Sequence, residues 1–163
     1  MGVTFNADEI FEMAEQIERN GAKFYRVVAD KLPEVRQILL DLAAMEDEHE
    51  KTFADMRAQL SGREQEALVF DPEGKAQMYL RVIADGFVFD AKADPTERLK
   101  GQETAEEVLK IAIALEKDSI AFYAGLKECV PPRAGRDKVE AIIREEFGHI
   151  ATLNEKLSAP HLF

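Results

Sequence analysis

Apolar residues recur through most of this chain at alternating steps of three and four, the period of helices that bury one face. Ile10, Ala14, Ile17, Gly21, Phe24 and Val28 form one row, and Phe11, Glu18, Tyr25 and Leu32, spaced by sevens, form the row beside it. These rows predict a helix from about Ala7 to Lys31, opened by Asn6 with Glu9 at capping-box spacing. A second stripe, Val35, Leu39, Leu42, Glu46, His49, Phe53, Met56 and Leu60, predicts a helix that begins near Pro33 and stops near Gly62. Thr104 with Glu107 repeats the capping box and starts a third helix. Its rows are Val108, Ala112, Leu115, Ser119, Phe122 and Leu126, with Leu109, Glu116, Tyr123 and Val130 beside them, and Pro131 and Pro132 end it. Val139, Ile142, Glu146, His149 and Leu153 predict a fourth helix from Ala134 to Leu157.

Between these halves, from about residue 61 to 103, the period breaks into polar residues, glycines, Pro72 and Pro95. Asp71-Pro72-Glu73 reads as a helix start, and Ala76, Leu80, Ile83 and Phe87 have helical spacing, so a short helix is predicted before Gly86–Phe89. Only the residues near Phe89 compete for a strand. The aromatics Phe70, Tyr79, Phe87 and Phe89 either pack this segment onto its own bundle or give it a surface for a partner. Short links within each half and one long link between them describe an all-α four-helix bundle with a single crossover. The expected organisation is one domain over residues 1–163, built from hairpins at about 6–60 and 104–157 and joined by that crossover.

Composition narrows the function. A chain of 163 residues buries a core without staples, and its one cysteine, Cys129, rules out an internal disulfide or a Cys-x-x-Cys metal knuckle. Cys129 itself reads as a small residue at a helix end. A net charge of -11 without a basic cluster argues against nucleic acid. No apolar run approaches the roughly 18 residues of a membrane span, and no basic-then-apolar leader opens the sequence, which points to a soluble, cytoplasmic protein. Asp47, Glu48, Glu50 and Glu145 lie off the stripes and read as solvated helix faces, and His161 reads as an exposed tail residue.

The charges inside the stripes need another explanation. Glu46-x-x-His49 and Glu146-x-x-His149 repeat one motif a hundred positions apart, each within an apolar seam. Glu18 and Glu116 also pair: a shift of 98 brings Ala14, Glu18, Phe24, Tyr25 and Pro33 onto Ala112, Glu116, Phe122, Tyr123 and Pro131. The chain is therefore a duplicated hairpin, each copy carrying one inward Glu and then one Glu-x-x-His. A Glu and a His three apart share a helix face. Buried charges of this kind are costly unless compensated, and two divalent cations at +4 balance four carboxylates at -4. Glu18, Glu46, His49, Glu116, Glu146 and His149 are thus candidate ligands for two cations, with satisfied polar core residues as the alternative. Mixed oxygen and nitrogen donors suit iron or manganese better than calcium or magnesium, with zinc, which usually takes fewer carboxylates, as a possible substitute. Tyr25 and Tyr123 either donate to the ligands or simply fill the core.

These residues resemble the ferritin-like superfamily and, within it, the rubrerythrin branch. The resemblance rests on Glu18, Glu46-x-x-His49, Glu116 and Glu146-x-x-His149, one set on each of four helices. It implies a ferritin-like bundle holding two irons, and a non-haem oxidoreductase of the peroxidase or ferroxidase type. Peroxide or oxygen would be the substrate. Non-catalytic iron binding or sensing with a docked partner, and iron storage, are the alternatives it leaves. Two departures stand out. Ser119 occupies the place where typical members carry a second third-helix Glu, and no rubredoxin domain is present, so electrons would come from an external donor protein. The long crossover also leads us to expect a homodimer, with room for exchanged helices.

Overall fold

The computed structural model describes residues 5–60, 71, 73–83 and 93–159. Five α-helices and no strand occur among them: α1 (Ala7–Ala29), α2 (Arg36–Ala58), α3 (Lys75–Val82), α4 (Ala105–Cys129) and α5 (Arg136–Leu157). The four long helices form the bundle. Helices α1 and α2 pack as one hairpin, α4 and α5 as the other, and α3 packs on α4. Gly62, Phe70, Gly86, Phe87, Phe89 and His161 lie outside the described residues, as does the possible strand near Phe89.

Both expected capping boxes form. The Glu9 N–H donates to Asn6 Oδ1 at 2.8 Å while the Asn6 N–H donates to Glu9 Oε2 at 2.9 Å, and Thr104 with Glu107 repeats the exchange at 3.2 and 2.9 Å. Three starts differ from expectation, the first being α3, which begins at Lys75 after Gly74 at φ +67° rather than at Glu73. Helix α2 begins at Arg36 rather than Pro33, because residues 32–36 turn through Val35 N–H to Leu32 O and Arg36 N–H to Pro33 O. Val35, at φ -123°, lies outside the helix, and its side chain is buried in the apolar core, so packing sets this boundary. Helix α5 begins at Arg136 rather than Ala134, since Pro132–Ala134 make a 3-10 turn and Gly135 follows at φ +97°, a conformation that side chains resist.

The core falls into two apolar clusters separated along every long helix by charge. One cluster gathers Ile10, Phe11, Phe53, Phe122, Leu126 and Val139; the other gathers Phe24, Val28, Leu39, Leu42, Leu109 and Leu153. Glu18, Glu46, His49, Glu116, Glu146 and His149 fall between them in each helix and are at most 4% exposed. Apolar packing above and below thus holds these polar side chains away from water.

Helix α3 approaches the bundle where α4 carries Gly125. A Cβ there would lie 2.6 Å from Tyr79 Cδ1 and 2.8 Å from Leu80 Cδ2, while Tyr79 Oη donates to Ala121 O at 2.7 Å. Gly125→Ala is expected to destabilise the fold by about 1–3 kcal/mol through overpacking. Thermal unfolding checks this, and an unchanged midpoint would show that α3 yields without cost.

Candidate metal centre

Each of the four long helices contributes to a single buried centre. His49 turns Nδ1 inward, 3.0 Å from Glu146 Oε1, 3.5 Å from Glu18 Oε2 and 3.9 Å from Glu46 Oε2. His149 does the same, its Nδ1 2.9 Å from Glu146 Oε2, 3.3 Å from Glu46 Oε1 and 3.5 Å from Glu116 Oε1. The two imidazoles stack, with centroids 5.6 Å apart and planes 19° from parallel. All six candidate ligands from the sequence are therefore in one place.

Donor atoms fall into two overlapping sets. Glu18, Glu46, His49 and Glu146 each offer one atom within 4.8 Å of the others, and so do Glu46, Glu116, Glu146 and His149. Glu46 and Glu146 belong to both sets, so the arrangement offers two candidate cation positions with two shared carboxylates. Glu18 and Glu116 each belong to one.

The donors also fit cations by what they lack. Glu18 Oε2, both oxygens of Glu146, and Nδ1 of His49 and His149 are buried with no hydrogen bond of acceptable geometry, although several approach a neighbour closely. Such orphaned atoms are rare in folded proteins and call for a ligand. Glu15, also buried, shows the ordinary solution: Arg19 at 3.2 Å and Arg57 at 3.4 Å. The ion pairs of the four central carboxylates run instead to the two histidines.

Around this centre the tyrosines pair crosswise. Tyr25 Oη donates to Glu116 Oε1, and Tyr123 Oη donates to Glu18 Oε1. Each half of the duplication thus orients the single Glu of the other half. Burial first, and then the nearby carboxylates, push both phenols well above their ordinary value of 10.0, so they remain neutral donors. Phe53 packs on the Tyr123 ring at 5.0 Å between centroids and holds it in place.

Ser119 and Gly21 occupy equivalent places in the two halves. Ser119 Oγ donates back to Leu115 O at 3.1 Å, so α4 offers one carboxylate to the centre, as α1 does. A Cβ at Gly21 would lie 3.4 Å from Glu46 Cδ, an ordinary contact, so Gly21 lies against the shared carboxylate.

One participant was missed from sequence. Glu145, read as a solvated residue, has Oε2 2.7 Å from His49 Nε2 although its side chain is 52% exposed. Asp47 and Glu50, also off the stripes, pair with Arg26 and Arg19 at the surface.

Without cations the centre balances its charge with protons. Burial, and then the Glu46 charge, raise Glu18 and Glu116 well above the ordinary 4.5. Burial opposes ionisation of Glu46 and Glu146 too, but the close approach of Glu18 to Glu46, of Glu116 to Glu146 and of both histidines to each outweighs it, and both go down. Burial opposes protonation of the histidines, but the surrounding carboxylates overcome it, raising His49 strongly and His149 to about 12.

The raised groups stabilise the metal-free fold below their ordinary values of 4.5 and 6.5, and that contribution is lost as pH rises toward their folded values. Glu46 and Glu146, lowered, contribute above 4.5 and lose that contribution only on acidification. Cations displace the protons. The melting-temperature gap between loaded and metal-free protein is therefore expected to widen from about pH 5 to about pH 8. A gap that narrows over that range would contradict this charge balance.

Comparison with known proteins agrees with the geometry. The rubrerythrin family model matches residues 9–157, which include all six central side chains. Among solved structures, a Thermotoga maritima protein described as ferritin-like and diiron-carboxylate superposes with a TM-score of 0.71. It is 26% identical, and the match covers 95% of this chain and 96% of that one. No curated protein matches the sequence.

Proposed function

The chain belongs to the rubrerythrin family, and from that premise we propose that it is a non-haem di-iron oxidoreductase that reduces peroxide or oxygen and is recharged by an external electron donor. The observation that carries this reading is the convergence of four carboxylates and two imidazoles into two donor sets that share Glu46 and Glu146. Two ferrous ions held there would supply two electrons, the number that converts one hydrogen peroxide and two protons into two waters. Mixed oxygen and nitrogen donors suit iron, with manganese or zinc able to substitute.

The protein's own part is positioning and shielding. Glu46 and Glu146, members of both donor sets, would be shared by the two cations, while Glu18 and Glu116 are held at either side by Tyr123 and Tyr25. The apolar clusters keep bulk water out along the bundle axis. An open groove of about 400 Å3 between α2 and α5 has His49 in its lining with Glu48, Thr52, Asp55, Lys138 and Glu145, and it is where peroxide or oxygen would enter.

Rapid mixing of Fe(II)-loaded protein with peroxide, and separately with oxygen, tests the proposal. Iron oxidation faster than that of free Fe(II) is expected with at least one oxidant. Equal rates with both would overturn the enzymatic reading. A second reading, an iron-binding or iron-sensing module that docks a partner, draws on α3, where Met78, Tyr79 and Val82 are 66%, 40% and 46% exposed. Tight iron binding without turnover, together with an iron-dependent partner, would favour it. Among the described residues no helix is long and apolar enough to cross a membrane.

A further inference from the structure

The duplication that builds the centre is broken immediately beside it. His49 turns Nδ1 toward the centre, and its Nε2 lies 2.7 Å from Glu145 Oε2. With Nδ1 facing a bound cation, Nε2 would carry the proton and donate to Glu145. His149, its counterpart, also turns Nδ1 inward, but its Nε2 is buried with no hydrogen-bond partner among the described residues. Glu145 immediately precedes Glu146, and the residue that immediately precedes Glu46 is Met45. A thioether is only a weak acceptor. One histidine therefore has a carboxylate behind it and the other does not.

We propose that Glu145 is a positioning residue that makes the two cation positions unequal, tightening the one completed by Glu18 and His49 over the one completed by Glu116 and His149. A carboxylate that accepts the outer N–H of a ligating imidazole fixes the ring and its tautomer and makes the inner nitrogen a better donor. Glu145 and His49 line the same open groove between α2 and α5. The inference rests on the dinuclear reading of the centre, and its test separates the two.

Anaerobic calorimetric titration of the metal-free protein with Fe(II) should show two binding steps of different affinity. Glu145→Ala should weaken the tighter step by about 10–100-fold, the usual effect of removing such a partner, and leave the weaker one in place. Glu145→Gln, which keeps an acceptor oxygen, should recover part of that loss. Met45→Glu should strengthen the weaker step. Crystals given one equivalent of Mn(II) should concentrate anomalous density at the Glu18–His49 position, and Glu145→Ala should spread it over both. Two equal steps in the unaltered protein, or steps that Glu145→Ala leaves unmoved, would overturn this inference alone. Uptake of fewer than two cations by the unaltered protein would overturn the dinuclear reading, and the inference with it.

Discussion

Replacing Glu146 by alanine is expected to abolish uptake of both cations, whereas replacing Glu18 by alanine is expected to abolish only one. The difference follows from sharing: Glu146 belongs to both donor sets and Glu18 to one. Glu146 is also fully buried, and both of its oxygens face the centre without hydrogen bonds. Removing one partner from a buried charged assembly costs about 3–5 kcal/mol, which is roughly two to three and a half orders of magnitude in affinity. In Glu146→Ala that loss falls on each position. Metal content after anaerobic loading and desalting reads it directly, with circular dichroism of the metal-free variants as the folding control. Two cations retained by Glu146→Ala would show that the shared carboxylate is not shared.

Removal of metal is expected to produce the largest change in stability. The metal-free centre holds four carboxylates and two imidazoles among orphaned atoms, and cations bind only the folded arrangement of these donors. At about a thousand times its dissociation constant, a ligand specific to the native state adds about 4 kcal/mol, so two cations add about 8 kcal/mol. For a domain of this size each kcal/mol moves the melting temperature by about 2–4 °C, giving a rise of roughly 16–32 °C on loading. Calorimetry with Fe(II) under anaerobic conditions, and again with chelator, measures it. A rise of only a few degrees would mean that the donors do not act as one preformed centre.

The positions of the six central side chains were legible because each interrupts an apolar row at helical spacing. A carboxylate at Glu46 or Glu146 is costly in a seam between Leu42 and Phe53 or between Ile142 and Leu153 unless something compensates it. The duplication then supplied the facing partners. Other features depend on tertiary packing. Val35 sits at a helix start by local pattern, yet burial against the core turns it out of the helix. The tyrosines are visibly near Glu18 and Glu116 in sequence, but each donates to the glutamate of the opposite half, which only the arrangement of the two hairpins decides.

Glu145 was hidden for a different reason. It stands one residue from a ligand, on a face half open to solvent, where glutamate is ordinary. The available signal was the failure of the repeat at that point, methionine in one half and glutamate in the other. Asymmetry within a duplicated site marks where the two halves have acquired different tasks.

The central claim is that six side chains from four helices hold two cations at once. A crystal structure of the protein loaded anaerobically with Fe(II), with anomalous data at the iron edge, tests it most directly. Two peaks about 3.5–4 Å apart are predicted, bridged by Glu46 and Glu146 and flanked by Glu18 with His49 and Glu116 with His149. One peak, or iron bound elsewhere while these side chains pair among themselves, would contradict the account.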